Sequence, residues 1–159
     1  EAGCDHICFG LESASPRVLK AIRKEITVQQ ASEFLHRCHG KGIKVMIKPQ
    51  IWVWKGEFTG EIMMATEGDW KALETSYTSF ILEYADLAEK VNAEIFCLGT
   101  ELELFVKFRS AYWFQLIEKI KTVYKGKLTY AANWNEFAKT PFQNFQHDIL
   151  HKYNQSTMV

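Results

Sequence analysis

Two glutamates follow a short apolar run near the middle of the chain, in the segment EIFCLGTELE. The apolar residues 95–98 are followed by Gly99 and Thr100, and then by Glu101 and Glu103. A buried strand that ends in a small residue and a carboxylate is a common way for an α/β protein to present an acid at its active-site face. The alternative is that Glu101 only begins a solvated loop, and the neighbouring strands decide between these interpretations.

The periodicity of apolar residues predicts strands and helices in alternation along the chain. The predicted strands are Asp5–Leu11, Ile43–Val53 with its regular part ending near Lys48 because of Pro49, the run around 95–98, and Lys127–Asn133. Between them we expect helices that begin at Ser15-Pro16, at Thr27, at Thr66 and at Ser110. Such an order is typical of a parallel sheet with right-handed crossover connections.

Residue types at the ends of the predicted helices support these boundaries. Thr27 and Gln30 form a capping box, and Thr66 and Asp69 offer a second one. Ser110 is the predicted N-cap of the last long helix, which should end at Gly126, and Gly40 and Gly42 should stop the helix that begins at Thr27. The clearest apolar stripe belongs to the third helix: Trp70, Leu73, Tyr77, Phe80, Ile81, Tyr84, Leu87, Ala88 and Val91.

The predicted fold class is therefore α/β, a parallel βα repeat that forms a partial, half TIM barrel of about four strands with flanking helices, in a single domain spanning 1–159. All strands of such a sheet deliver their carboxyl ends to one face. Carboxylic acids can protonate a glycosidic oxygen, amides bond sugar hydroxyls, and indoles stack on sugar rings, so this face suits a carbohydrate. It would collect Glu12, Gln50, Trp52, Trp54, Thr100, Glu101, Glu103, Asn133, Trp134 and Glu136.

Composition excludes several other functions. The 19 basic and 19 acidic side chains give zero net charge, so we expect no nucleic-acid partner. No apolar run approaches the roughly 20 residues of a membrane span, and the first residues lack the features of a signal peptide, so we expect a cytoplasmic protein without a membrane partner. The four cysteines contain no CxxC pair and the five histidines lack convincing metal spacing, which predicts reduced thiols, no metal and no cofactor.

From about residue 42 to 142 the chain resembles a clan-A glycoside hydrolase, closest to the β-mannanases of glycoside hydrolase family 113. The segments that carry the resemblance are GIKVMIKPQIWVWKGEFTGEI, DWKALETSYTSFILEYADLAEK, IFCLGTELE and KGKLTYAANWNEF. The resemblance implies that Glu101, in the G-T-E motif, is the general acid/base. It also implies that Trp52, Trp54, Asn133 and Trp134 lie in or beside the substrate cleft.

From residue 1 to about 42 the chain is similar to a βαβ piece of radical-SAM enzymes, in which Glu12 would lie near S-adenosylmethionine. The three-cysteine cluster motif is absent, because Leu11 stands at the third position after Cys4 and Cys8. The two resemblances together suggest a chimera of barrel fragments, of natural or engineered origin, that joins near 43 and ends in a tail at 143–159.

A retaining glycosidase needs two carboxylates about 5–5.5 Å apart. In the resembled family the nucleophile follows the seventh strand, for which the sequence has no counterpart, and Glu136 is the best candidate partner, ahead of Glu103 and Glu12. We expect weak or no catalysis, with carbohydrate binding retained. The alternative is a non-catalytic, recombined or designed half-barrel that assembles through open sheet edges as a homodimer or larger oligomer.

Overall fold

A computed structural model describes residues 27–53, 56–133 and 136. The chain divides into two compact units, Glu1–Ile43 and Lys44–Val159. The predicted strand Asp5–Leu11, the predicted helix at Ser15 and the tail 143–159 lie outside the described residues, so those predictions stay predictions.

In the first unit, helix α1 spans Val28–His39. The capping box is confirmed, because the Thr27 hydroxyl accepts from the Gln30 amide at 3.1 Å and the Gln30 side chain accepts from the Thr27 amide at 2.8 Å. Gly40 caps the helix but keeps a right-handed backbone, with φ of −59°. The left-handed residue that turns the chain away is Gly42, with φ of +73°.

The second unit is built on a three-stranded parallel sheet in the order β1-β2-β3. Strand β1 is Met46–Ile47, β2 is Ile95–Thr100 and β3 is Lys127–Ala131. The predicted first strand of this unit, Ile43–Val53, was too long. The residues paired with β2 are Met46 and Ile47, and the Val45 carbonyl before them accepts from the Ile95 amide at 3.3 Å. The Val45 amide donates to the Glu94 carboxylate at 2.7 Å, and the strand ends before Pro49, as the missing proline donor required.

Helices cover the sheet: α2 spans Glu67–Lys90, α3 spans Glu103–Phe108 and α4 spans Ser110–Val123, and a short 3₁₀ helix spans Thr59–Glu61. The apolar stripe of α2 is confirmed in its buried members Trp70, Tyr77, Ile81 and Ala88. One face of α4 is buried, through Trp113, Leu116, Ile117 and Ile120, and Tyr124 is buried directly after its end. The fold is therefore the predicted partial α/β barrel, a parallel sheet with flanking helices.

Two helix predictions need correction, and one helix was missed. Ser110 is not an N-cap, because α3 runs almost directly into α4 and Arg109 stands between them without a side-chain cap. Thr66 accepts from the Asp69 amide at 3.1 Å, but the Asp69 carboxylate bonds the Thr66 hydroxyl instead of returning to its backbone. Helix α3 itself was not predicted, because its six residues are too few to show a periodic stripe.

Candidate active site at the carboxyl ends of β2 and β3

Strand β2 contains one residue more than β3 just before it reaches the candidate acid. Cys97 is paired with Thr129 and Thr100 with Ala131, so β2 uses three steps where β3 uses two. Such a β-bulge leaves backbone groups without ladder partners. Side chains supply hydrogen-bond partners for two of these backbone groups. The Tyr77 hydroxyl donates to the Leu98 carbonyl at 2.8 Å, and the Cys97 thiol donates to the Gly99 carbonyl at 3.1 Å.

Gly99 lies in this bulge because no larger residue fits there. A Cβ atom at this position would lie 2.9 Å from Cη2 of Trp113 and 2.9 Å from Cε2 of Tyr130. The rings of Trp113 and Tyr130 meet edge to face, with centroids 6.0 Å apart. The glycine thus lets the Tyr130 ring lie against β2, where its hydroxyl can reach the backbone beyond the strand.

Glu101 directly follows β2, as predicted, and adopts a left-handed backbone with φ of +50°. Its amide donates to the Ala131 carbonyl at 2.9 Å, and its carbonyl accepts from the Thr59 hydroxyl at 3.1 Å. Left-handed backbone is unusual for a residue with a side chain and recurs at functional sites, where the surrounding structure holds it in place. The side chain is half-buried, so its carboxylate keeps partial access to solvent.

The Leu102 amide, next along the chain, donates to the Tyr130 hydroxyl at 2.7 Å. That hydroxyl donates in turn to one oxygen of Glu136, whose other oxygen accepts from the Asn133 amide at 3.0 Å. The chain of bonds joins the end of β2 to the loop after β3. Tyr130 has its pKa raised well above 10, first by burial and then by the charge of Glu136.

Glu136 is 1% exposed, although it is a carboxylate in a loop. Burial raises its pKa above 4.5, and the charges of Glu103 and Glu101 raise it further, while the bonds from Tyr130 and Asn133 oppose that rise. The carboxylates of Glu101, Glu103 and Glu136 are therefore close enough at this end of the sheet for their charges to interact. The burial of Glu136 leaves it little surface with which to meet a sugar, and its suggested role as catalytic partner stays a prediction.

The remaining predicted site residues divide into three groups. Trp52 is 79% exposed and Gln50 is exposed, on the segment that follows β1, and Asn133 is half-buried after β3. Thr100 is buried, with its hydroxyl 3.9 Å from the Cys97 thiol, which disfavours direct contact with a substrate. Glu12, Trp54 and Trp134 lie outside the described residues.

Two residues of this site were missed in the sequence. Thr59 belongs to a long loop that could be identified as functional or mobile by its length, but nothing in the sequence marks this threonine. Tyr130 lies within a predicted strand, and nothing in its sequence context distinguishes it from a core residue. The described residues contain no group of three His, Cys, Asp or Glu side chains that could hold a metal ion, and none of the described helices has the length and apolar character needed to cross a bilayer.

A parallel sheet with flanking helices and carboxylates gathered at its carboxyl ends defines a partial α/β barrel with an enzyme-like site. Comparison with known proteins makes this specific. The family model for Glycoside Hydrolase Family 113 matches residues 12–149, and the chain belongs to that family. The match includes most of the segment that resembles radical-SAM enzymes; that second resemblance and the suggested chimera stay predictions.

Solved structures agree with the family. The chain is 28% identical to the GH113 β-mannanase AaManA from Alicyclobacillus acidocaldarius, in complex with ManMIm, with a TM-score of 0.68, covering 76% of this chain and 41% of that one. A complex of a GH113 β-1,4-mannanase is 25% identical with a TM-score of 0.64 over 73% of this chain and 39% of the mannanase. The chain thus spans about two-fifths of the length of these relatives. A comparison with curated protein sequences gave no match.

Proposed function

We propose that this chain carries the acid/base part of a β-mannanase site and binds β-1,4-linked mannan oligosaccharides at the carboxyl ends of β2 and β3. Glu101 is the general acid/base, which donates a proton to the glycosidic oxygen and later removes one from water. The observation that carries the proposal is the left-handed, doubly anchored backbone of Glu101 directly after β2. The membership in a β-mannanase family supports the choice of ligand.

Hydrolysis needs a second carboxylate that can reach the anomeric carbon. Of the two other carboxylates that converge here, Glu136 is buried and already accepts two hydrogen bonds. Glu103 begins α3 and is half-buried. We therefore expect the 159-residue chain to bind mannan oligosaccharides with weak or no turnover.

Calorimetric titration of the chain with β-1,4-mannan oligosaccharides tests the binding, with xylan oligosaccharides of the same length as the control ligand. We expect saturable binding of the mannan series and a weaker affinity in Glu101→Gln, which keeps the shape of the side chain but removes the charge. The absence of binding at millimolar concentration would overturn the proposal. Equal affinity of wild type and Glu101→Gln would show that the Glu101 carboxylate does not contribute to ligand binding.

A non-catalytic half-barrel that assembles through its sheet edges is the second candidate. Among the described residues, β1 and β3 each pair with β2 alone, so each has one edge available for further pairing. This candidate predicts a homodimer or larger oligomer by light scattering and an unchanged assembly in Glu101→Gln. A monodisperse monomer at high concentration would contradict it.

A further inference from the structure

We infer that Tyr130 and Thr59 are positioning residues that clamp the peptide bond after Glu101 and so fix its backbone conformation and the direction of its Cα–Cβ bond. The inference rests on the proposed function, because it assigns a task to Glu101. It concerns two side chains that lie on different elements: Tyr130 on β3 and Thr59 in the 3₁₀ helix.

The clamp acts on a single rigid unit. The carbonyl of Glu101 and the amide of Leu102 belong to the same planar peptide group. The Thr59 hydroxyl donates to that carbonyl at 3.1 Å, and the Tyr130 hydroxyl accepts from that amide at 2.7 Å. Because both polar ends of the plane are bonded, the plane cannot rotate without breaking one of the bonds.

The preceding peptide plane is also fixed, because the Glu101 amide donates to the Ala131 carbonyl at 2.9 Å. With the planes on both sides held, the two backbone torsions of Glu101 are determined, and so is the bond from Cα to Cβ. A catalytic acid must be held close to its productive geometry, since small displacements reduce rates strongly. The left-handed φ of +50° is the conformation that this clamp maintains.

Glu136 supports the clamp from behind. A phenolic hydroxyl has one proton to donate and oxygen lone pairs to accept with. Tyr130 gives its proton to the buried carboxylate of Glu136, which leaves its lone pairs directed toward the Leu102 amide. The Asn133 amide holds the other oxygen of Glu136 at 3.0 Å, so the carboxylate cannot turn away. The buried Glu136 carboxylate therefore orients the Tyr130 hydroxyl, a task that needs no contact with a substrate.

A double-mutant cycle between Tyr130 and Glu101 separates positioning from general stability. Tyr130→Phe should weaken binding of mannan oligosaccharide about threefold to tenfold in the wild-type background and leave it unchanged in Glu101→Ala, which has no side chain left to position. The matched control is Tyr124→Phe, which removes another buried hydroxyl, bonded to the Ala93 carbonyl at 2.7 Å near the opposite end of β2. An equal loss of affinity in both backgrounds, or an equal loss in Tyr124→Phe, would overturn the inference.

Thr59 offers a second and gentler test. Thr59→Ser keeps the hydroxyl and should retain wild-type affinity, whereas Thr59→Val keeps the shape without the donor and should weaken binding as Tyr130→Phe does. Affinity that follows side-chain volume instead of the hydroxyl would count against the clamp.

A ligand-free measurement distinguishes failure of this inference from failure of the proposed function. Backbone scalar couplings and chemical shifts of Glu101, measured by NMR, report whether it keeps the left-handed conformation or averages over several. We expect one left-handed backbone conformation in wild type and Tyr124→Phe, and averaging in Tyr130→Phe and Thr59→Val. If wild type binds no oligosaccharide but this pattern holds, the function is wrong and the clamp stands; unchanged couplings in all variants would refute the clamp itself.

Discussion

The left-handed backbone of Glu101 carries a cost in stability that two substitutions at the same position can isolate. A residue with a Cβ atom in this conformation, here with φ of +50°, is destabilised by about 1–2 kcal/mol. Glycine avoids that cost, but it adds about 0.4–1 kcal/mol of chain entropy to the unfolded state. Alanine keeps the Cβ atom and so keeps the strain. We therefore expect Glu101→Gly to be more stable than Glu101→Ala by about 0.5–1 kcal/mol.

Urea unfolding measures this difference directly. The free energy of unfolding falls by about 1–3 kcal/mol per molar urea, so a difference of about 1 kcal/mol moves the midpoint by about 0.3–1 M. In thermal unfolding the same difference corresponds to about 2–4 °C for a chain of this size. Both Glu101→Gly and Glu101→Ala lack the carboxylate, so its contribution to the free energy of unfolding cancels when the two variants are compared.

Two control positions make the comparison strict. Asn92 and Glu101 are the non-glycine residues with positive φ among those described, and Asn92, with φ of +52°, follows α2 after Val91. There, too, the glycine variant should be more stable than the alanine variant. At the exposed Glu57, which lies outside the left-handed region, alanine should equal or exceed glycine. The reasoning is refuted if the order at Glu101 matches the order at Glu57.

Three further predictions concern the surroundings of the site. Gly99→Ala should destabilise the fold by about 1–3 kcal/mol in urea unfolding, because the new methyl group meets two buried rings, whereas Gly68→Ala, in the first turn of α2, should stabilise it. Arg109→Lys should lower the melting temperature more than Lys90→Gln, because the guanidinium bonds two carboxylates on α2 and Lys90 forms one exposed pair. The raised pKa of Glu136 means that the folded state holds its proton more tightly, so the stability from this group is present below pH 4.5 and is lost as pH rises through the folded pKa. Glu136→Gln should lack this pH dependence when the free energy of unfolding is measured from below pH 4.5 upward. Parallel pH profiles of the unfolding free energy in wild type and Glu136→Gln would contradict the prediction.

Much of the fold was predictable because it depends on patterns that the sequence displays locally. The stripe on α2 and the core of α4 follow from helical spacing, and the carboxyl end of β2 follows from an apolar run before a carboxylate. The start of β1 was not predictable, since the apolar pattern of 43–53 extends beyond the two residues that pair with β2. Helix α3 was missed for lack of length.

The site was only partly predictable for a similar reason. The sequence places Glu101 and Glu136 after neighbouring strands, and strand order alone brings them to one end of the sheet. It does not reveal that Glu136 turns inward, because that depends on the Tyr130 hydroxyl and the Asn133 amide meeting the carboxylate from two sides. The role of Thr59 could not be predicted, since it comes from one hydrogen bond to a backbone carbonyl 42 residues away in the sequence.

The bulge in β2 explains why the acid has this unusual backbone. By inserting one residue before Thr100, it brings the Glu101 amide level with the carbonyl of Ala131, the last residue of β3. The chain must then turn into α3 within two residues, and a left-handed residue makes such a turn. The same bulge contains Gly99, whose missing side chain admits the Tyr130 ring that holds the turn. Strand register, the glycine and the strained glutamate are therefore three parts of one arrangement, and a change in any of them should alter the backbone conformation of Glu101.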